Sequence, residues 1–416
     1  MSGLACRLCG AVLTRSFIDL GAMPLANSYL SARDLDRPEP AYPLHARVCG
    51  QCRLVQVEDA VPPDAIFSDY AYFSSYAQSW VAHAKRYAEA MAPRFGLGKS
   101  SLVVEVASND GYLLQHFVAM GVPVLGIEPA ANVAEAAEAI GVPTRVMFLG
   151  AATARALAAE GVAADLIAGN NVLAHVPDLN DFVAGLAILL KPDGVLTMEF
   201  PHLMRLVEGV QFDTIYHEHF SYLSLLAVER AFARHDLAVF DVAELPTHGG
   251  SLRVFARHAG SGAHPEQPAV AALRAVEAVA GLDSDAWYDG FAPRVAAVRD
   301  GLLAFLDRAK AEGKSVAAYG AAAKGNTLLN FCGIGPDRVA FVVDANPHKQ
   351  GHWLPGSRLP IHAPAMLKEA RPDYVLILPW NLRDEIAAAH AYIGDWGGRF
   401  VVAVPALEIV EPGAGS

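Results

Sequence analysis

The chain has 416 residues, enough for two or three domains, and its 53% apolar and 18% charged content excludes a disordered polypeptide. A formal net charge of −12 without any run of Lys and Arg weighs against nucleic acid or an anionic membrane as the main partner. The opening "MSGLACRLCG" lacks the basic and apolar regions of a secretory signal and no apolar run could span a bilayer, so a cytoplasmic protein is expected.

Cysteines come first in chain order. Cys6 and Cys9 form one C-x-x-C pair, and Cys49 and Cys52 in "VCGQCRLVQ" form another. Structural disulfides are not expected in such a compartment. Two knuckles can instead present four thiolates tetrahedrally to Zn²⁺, and a closed four-thiolate site is structural, with no open position for catalysis. The long gap between the pairs must hold its own loop or hairpin. Cys332 is left over and reads as a packed thiol.

Residues 71–96 have helical periodicity. Then "SLVVEVASNDGYLLQHFVAMG" gives a short β-branched strand, a turn and a helix, and "VPVLGIEPAANVAEAAEAIG" repeats the plan. "ADLIAGNNVLAHVPDL" and "GVLTMEFP" supply further strands. Strands alternating with helices predict an α/β fold with a parallel, doubly wound sheet, which binds ligands at the carboxyl ends of its strands. Glu105 and Glu128 end the first two strands, and a carboxylate at the second position can take both hydroxyls of a ribose. The places of a G-x-G-x-x-G loop hold Ala107, Asn109 and Gly111. A pyrophosphate site would want the missing glycines. A nucleoside without bridging phosphates, such as S-adenosylmethionine, fits better.

"IYHEHFSYLS", residues 215–224, is dense in titratable groups. It is not H-E-x-x-H, because Ser221 stands at the last position, and a catalytic metal would need a third ligand. A polar strand edge and an acid–base centre both remain open on these residues alone, and so does the choice between His217 and His219 as base.

"LPTHGGSLRVFARH" reads as a hairpin, with turn chemistry favoured for Arg253 over ligand contact. Residues 263–312 read as two helices. "KSVAAYGAAAKGNTLLNFCGI" then opens a second α/β unit, whose Gly320-x-x-x-Lys324-Gly325 fails the Walker order. Its strand exits carry Lys324, Asn326, Asp344, His348, Lys349 and Asn381, groups suited to a diphosphate and a base.

"VVEVASNDGYLL", "GIEPA", "NNVLAHVPDL" and "IYHEHFSYLS" together resemble the bacterial sugar C-methyltransferases. The nearest likeness is to those that methylate C3 of thymidine-diphosphate-linked 4-keto deoxysugars. It runs along nearly the whole chain, and the S-N-D-G turn is typical of that family. The resemblance implies a zinc-binding module over 1–70, a Rossmann-like class I methyltransferase sheet over 71–260 and a smaller nucleotide-sugar-binding α/β domain over 261–416. It puts Glu105, Ala107, Asn109, Gly111, Glu128, Asn170 and Asn171 around S-adenosylmethionine, with Glu128 on the ribose and Asn171 beneath the sulfonium. It makes His219 the base, with Glu218 and Tyr216 as polar partners and His175 and Tyr76 as further active-site groups. His217, Tyr222, Lys324, Asn326, Asp344, Lys349 and Asn381 would contact the nucleotide-linked sugar. The rivals are methylation of a sugar oxygen or nitrogen, a nucleotide-sugar oxidoreductase, which the missing glycine fingerprint opposes, and a zinc-built nucleotide-sugar binding protein.

Overall fold

The computed structural model describes residues 4–58, 61, 74–76 and 78–411. The chain forms two compact units, each gathered from three segments. Met1–Thr14, Val48–Leu203 and Glu218–Asp283 make the first; Arg15–Arg47, Met204–His217 and Ser284–Ser416 make the second.

Among the described residues the first unit carries a seven-stranded sheet. Its spatial order is Leu237–Leu245, Ser251–His258, Leu190–Pro201, Ala164–Asn170, Val103–Val106, Val124–Glu128, Thr144–Val146. The last five are mutually parallel, and Ser251–His258 runs antiparallel to both of its neighbours. This is the doubly wound order that the alternation of strand and helix predicts, and it reverses between Val103–Val106 and Ala164–Asn170. All four residues of "VVEV" are buried, as expected for a strand covered on both faces. The expected helix at 71–96 spans Gln78–Arg94, with residues 71–73 and 77 outside the described set. Asp178 and Ser224 cap the helices Leu179–Leu189 and Leu225–Ala233, each side chain accepting a backbone N–H three residues on.

The second unit carries a six-stranded sheet in the order Ile361–His362, Val342–Val343, Val316–Tyr319, Tyr374–Ile377, Arg399–Val402, Glu408–Val410. All but the last strand are parallel to their neighbours. This sheet reverses between Val316–Tyr319 and Tyr374–Ile377, so it has its own switch point. The stretch expected to hold two helices holds three, Pro268–Ala280 in the first unit and Asp285–Asp289 and Phe291–Ala311 in the second. The break follows Gly281, in the left-handed conformation that ends the first of them. The strand Arg15–Met23 packs here, with Phe17 stacked on Phe291 at 4.6 Å, a contact of about 1 kcal/mol beyond its buried area. No helix among the described residues is long and apolar enough to cross a membrane.

The four front cysteines come together in the first unit. Their sulfurs all lie within 4.8 Å of one another, with Cys6 and Cys52 3.4 Å apart and Cys9 and Cys49 3.5 Å apart. None is in a disulfide. Zn–S bonds of about 2.3 Å in a tetrahedron put sulfurs about 3.8 Å apart, so the donor set fits zinc. The Gln56 side-chain amide donates to Cys6 Sγ at 3.2 Å, which orients a thiolate as outer-shell donors do. Cys52→Ser is expected to lose the one zinc per chain measured by metal analysis and to lower the melting temperature by several degrees or more. A variant that keeps both unchanged removes the metal from this site.

Candidate functional site

The turn after Val103–Val106 and the exit of Ala164–Asn170 flank the first switch point, and the residues expected around the cofactor lie there. Ala107 and Asn109 take positive φ, and so does Asn171 across the reversal. Gly111 does too, at φ 78°, and a Cβ on it would press to 3.1 Å from Val142. Both Glu105 oxygens are buried without a hydrogen-bond partner, and so is Asn171 Oδ1. Burial pushes the Glu105 pKa well up and the charges of Glu128 and Asp110 add to it, while the Tyr112 hydroxyl opposes them without reaching good hydrogen-bond geometry. Tyr112 Oη itself accepts from Asn170 Nδ2 at 3.3 Å. A buried carboxyl and a buried amide oxygen without partners both call for donors, and the α-ammonium and hydroxyls of S-adenosylmethionine are such donors. Glu128 spends one lone pair of each oxygen on the N–H groups of Asn109 and Ala130, both at 2.9 Å, leaving the others for a diol. The turn of Tyr76 is tied to the same loop. Ser74 N–H donates to Asn109 Oδ1 at 2.9 Å and Ser75 N–H to Asp110 Oδ2 at 3.0 Å, while the Tyr76 ring is largely exposed.

The decapeptide divides between the units: Tyr216 and His217 belong to the second, Glu218, His219 and Tyr222 to the first. In the first unit the His219 and His175 rings meet edge to face at 4.6 Å, and Tyr222 lies 6.2 Å beyond His219. Burial pushes His175 down to about 4, against a hydrogen bond to the Glu218 backbone, so its ring is neutral at physiological pH. In the second unit His217 Nε2 donates to Tyr42 O at 3.2 Å, which leaves Nδ1 as the bare nitrogen. Burial lowers its pKa as well, the backbone bonds opposing.

The second switch point gathers Lys324 and Asn381. Lys324 Nζ donates to Asn381 Oδ1 at 2.7 Å and stands 4.5 Å over the Trp380 ring. Trp380 Nε1 donates to Asp213 Oδ2 at 2.7 Å. Burial pushes Asp213 up to about 6, with Lys324 the main opposing charge, and burial lowers the Lys324 amine in turn. Asn326, 1% exposed, has neither amide atom hydrogen-bonded, and Asp213 Oδ1 is likewise buried without a partner. Asp344 accepts the N–H groups of Ala321 and Asn346 at 2.7 and 2.8 Å. Gly320, at φ 93°, is required because a Cβ would lie 2.5 Å from Pro379.

Other features of these neighbourhoods escaped the sequence reading. Trp380 stands at the exit of its strand as expected, but its partner Asp213 is 167 positions away. Glu199, buried at the end of its strand, accepts from His83, Arg253 and Thr247 at once. Arg253, expected in turn chemistry, lies in the strand Ser251–His258 directly across from Glu199 and covers the Tyr87 ring at 4.5 Å. The Glu199 carbonyl also takes the Asn171 N–H at 2.7 Å, so the cluster is fastened to the turn at Asn171. A lone acidic residue inside an apolar strand was the available signal.

Three domain families match consecutive stretches of the chain. They are "Putative zinc binding domain" over residues 6–67, "Methyltransferase domain" over 79–242 and "C-methyltransferase C-terminal domain" over 246–405. The C-methyltransferase NovU of Streptomyces niveus is 38% identical over 406 residues, 98% of this chain and 96% of the relative. Solved structures overlay less. An S-adenosylmethionine-dependent methyltransferase from Clostridium acetobutylicum covers 42% of this chain and 91% of its own at TM-score 0.34 and 10% identity. One from Anabaena variabilis covers 43% and 86% at TM-score 0.34 and 17% identity. Overlays this weak have no bearing on function. Matched by three domain families and by a relative over nearly its full length, the chain belongs to the S-adenosylmethionine-dependent C-methyltransferases.

Proposed function

We propose that the acceptor is a nucleotide-diphosphate-linked 4-keto deoxysugar, with thymidine the expected nucleoside, and that the methyl goes to C3. Transfer to carbon sets the requirement. A C–H carbon is no nucleophile until its proton is removed, and a neighbouring ketone makes that removal feasible by delocalising the charge as an enolate. Such an acceptor needs a base at the carbon and a donor at the carbonyl oxygen. His219 is the base in this reading. The neutral His175 ring against it adds no positive charge, which leaves His219 available to take the proton. Glu218 and Tyr216 orient the sugar, and Tyr76 and Tyr222 offer hydroxyls toward the developing oxyanion. Glu105, Glu128, Asn170 and Asn171, with the backbone of the 107–111 turn, hold S-adenosylmethionine, which when bound supplies an electrophilic methyl on sulfur.

The nucleotide belongs to the second unit in this reading. The observation that carries it is the second switch point. Lys324 is tied to Asn381 across the reversal, burial depresses the amines of Lys324 and Lys349, and the buried amide of Asn326, in the helix that carries Lys324, has no hydrogen-bond partner. A diphosphate offers such amines charge-assisted hydrogen bonds, and a nucleobase or ribose can satisfy the amide. Asp344 and His217 complete the set of expected substrate contacts.

Incubation with S-adenosylmethionine and a panel of nucleotide-linked 4-keto sugars in deuterated buffer is expected to give one added methyl, located at C3 by NMR. A methyl on oxygen or nitrogen defeats the proposal. His219→Asn is expected to abolish exchange of the C3 proton with solvent and to slow methylation by at least about a hundredfold, with affinity for S-adenosylhomocysteine retained. Exchange at the wild-type rate would move the base elsewhere. Lys324→Ala is expected to raise KM for the nucleotide sugar by roughly tenfold while kcat changes little. An unchanged KM shows that another group grips the diphosphate.

A further inference from the structure

The segment between the two cysteine pairs does more than join them. Within the second unit, residues 29–39 lie along 353–358. Leu30 and Trp353 exchange backbone hydrogen bonds at 2.9 Å, Glu39 accepts the Gly356 N–H, and Arg358 donates to the carbonyls of Leu35 and Arg37. This brings Tyr29 to the loop that leaves the first strand of the second sheet. Tyr29 Oη donates to Ala321 O at 2.7 Å. Lys349 Nζ donates to the same oxygen at 2.8 Å and sits 5.4 Å from the Tyr29 ring centre. Ala321 is fully buried, and its own N–H is held by Asp344.

A carbonyl oxygen has two lone pairs, and these two donors use both. The arrangement matters when an anion arrives. Lys349 is the one of the two that is charged, and it donates to a neutral carbonyl while the Asp344 carboxylate stands 3.9 Å away. A phosphate oxygen offers the ammonium a stronger, charge-assisted bond. Moving Lys349 to it would strand a buried carbonyl if nothing else were bonded there, and leaving a buried acceptor unsatisfied is costly. The Tyr29 hydroxyl removes that cost.

We propose that Tyr29 is a positioning residue for the anionic part of the substrate: it keeps the Ala321 carbonyl satisfied so that Lys349 can leave it for the ligand's diphosphate. The inference rests on the reading of the second unit as the nucleotide site. It gives the stretch between the cysteine pairs a part in substrate recognition, beyond closing the zinc knuckles.

The test is a double-mutant cycle on binding of thymidine diphosphate, measured by calorimetry on the full-length zinc-loaded protein. Wild type is expected to bind. Tyr29→Phe, which removes only the hydroxyl, is expected to weaken binding roughly five- to tenfold. Lys349→Ala is expected to weaken it at least as much. The double variant is expected to bind no worse than Lys349→Ala alone, because without the lysine there is no departure for Tyr29 to ease. Zinc content and S-adenosylhomocysteine affinity serve as folding controls and should match wild type. Tyr29→Phe binding as tightly as wild type overturns the inference. So does an equal loss in both backgrounds, the signature of a purely structural tyrosine. Wild type that binds no thymidine diphosphate instead brings down the nucleotide-site reading, and this inference with it.

Discussion

Polar groups sealed from water must find partners, and in this chain several at the two switch points do not find them inside the protein. Glu105 and Asn171 in the first unit, and Asn326 and Asp213 in the second, carry buried oxygen or nitrogen atoms without a hydrogen-bond partner. Each such atom costs on the order of 1–3 kcal/mol. They lie where parallel sheets reverse direction, the place at which backbone geometry opens a crevice. Stability given up there is recovered when a ligand brings the missing donors and charges.

Much of this was legible in the sequence because it is encoded locally. Two C-x-x-C knuckles need only their own spacing, and "VVEVASNDGYLL" states strand, turn and helix within twelve positions. The acids Glu105, one residue short of its strand's end, and Glu128, the last of its strand, also show as charges near the close of apolar runs. What stayed hidden depends on partners far apart in the chain. His83 meets Glu199 across 116 positions and Tyr29 meets Ala321 across 292, and no periodicity connects such pairs. Arg253 is the instructive case. Beside two glycines it reads as turn chemistry, but strand pairing sets it opposite Glu199, where burial requires an ion pair.

Carbon methylation also gives sense to the contrast between neighbouring histidines. A ring that is buried and neutral, such as His175, can brace another ring without competing for its proton. His217, two positions before His219, spends one nitrogen on the Tyr42 carbonyl and belongs to the other unit, so a shared H-x-H motif hides two different environments.

The chain passes between its two units five times, since each is assembled from three alternating stretches. One boundary falls inside Tyr216–His219, between the second and third residues of that tetrapeptide. No single scission therefore releases either unit whole. Anyone wishing to transplant one unit onto a different scaffold would have to carry three fragments together, and recombination at one junction would break both units. Such interleaving ties the inheritance of each unit to that of the other.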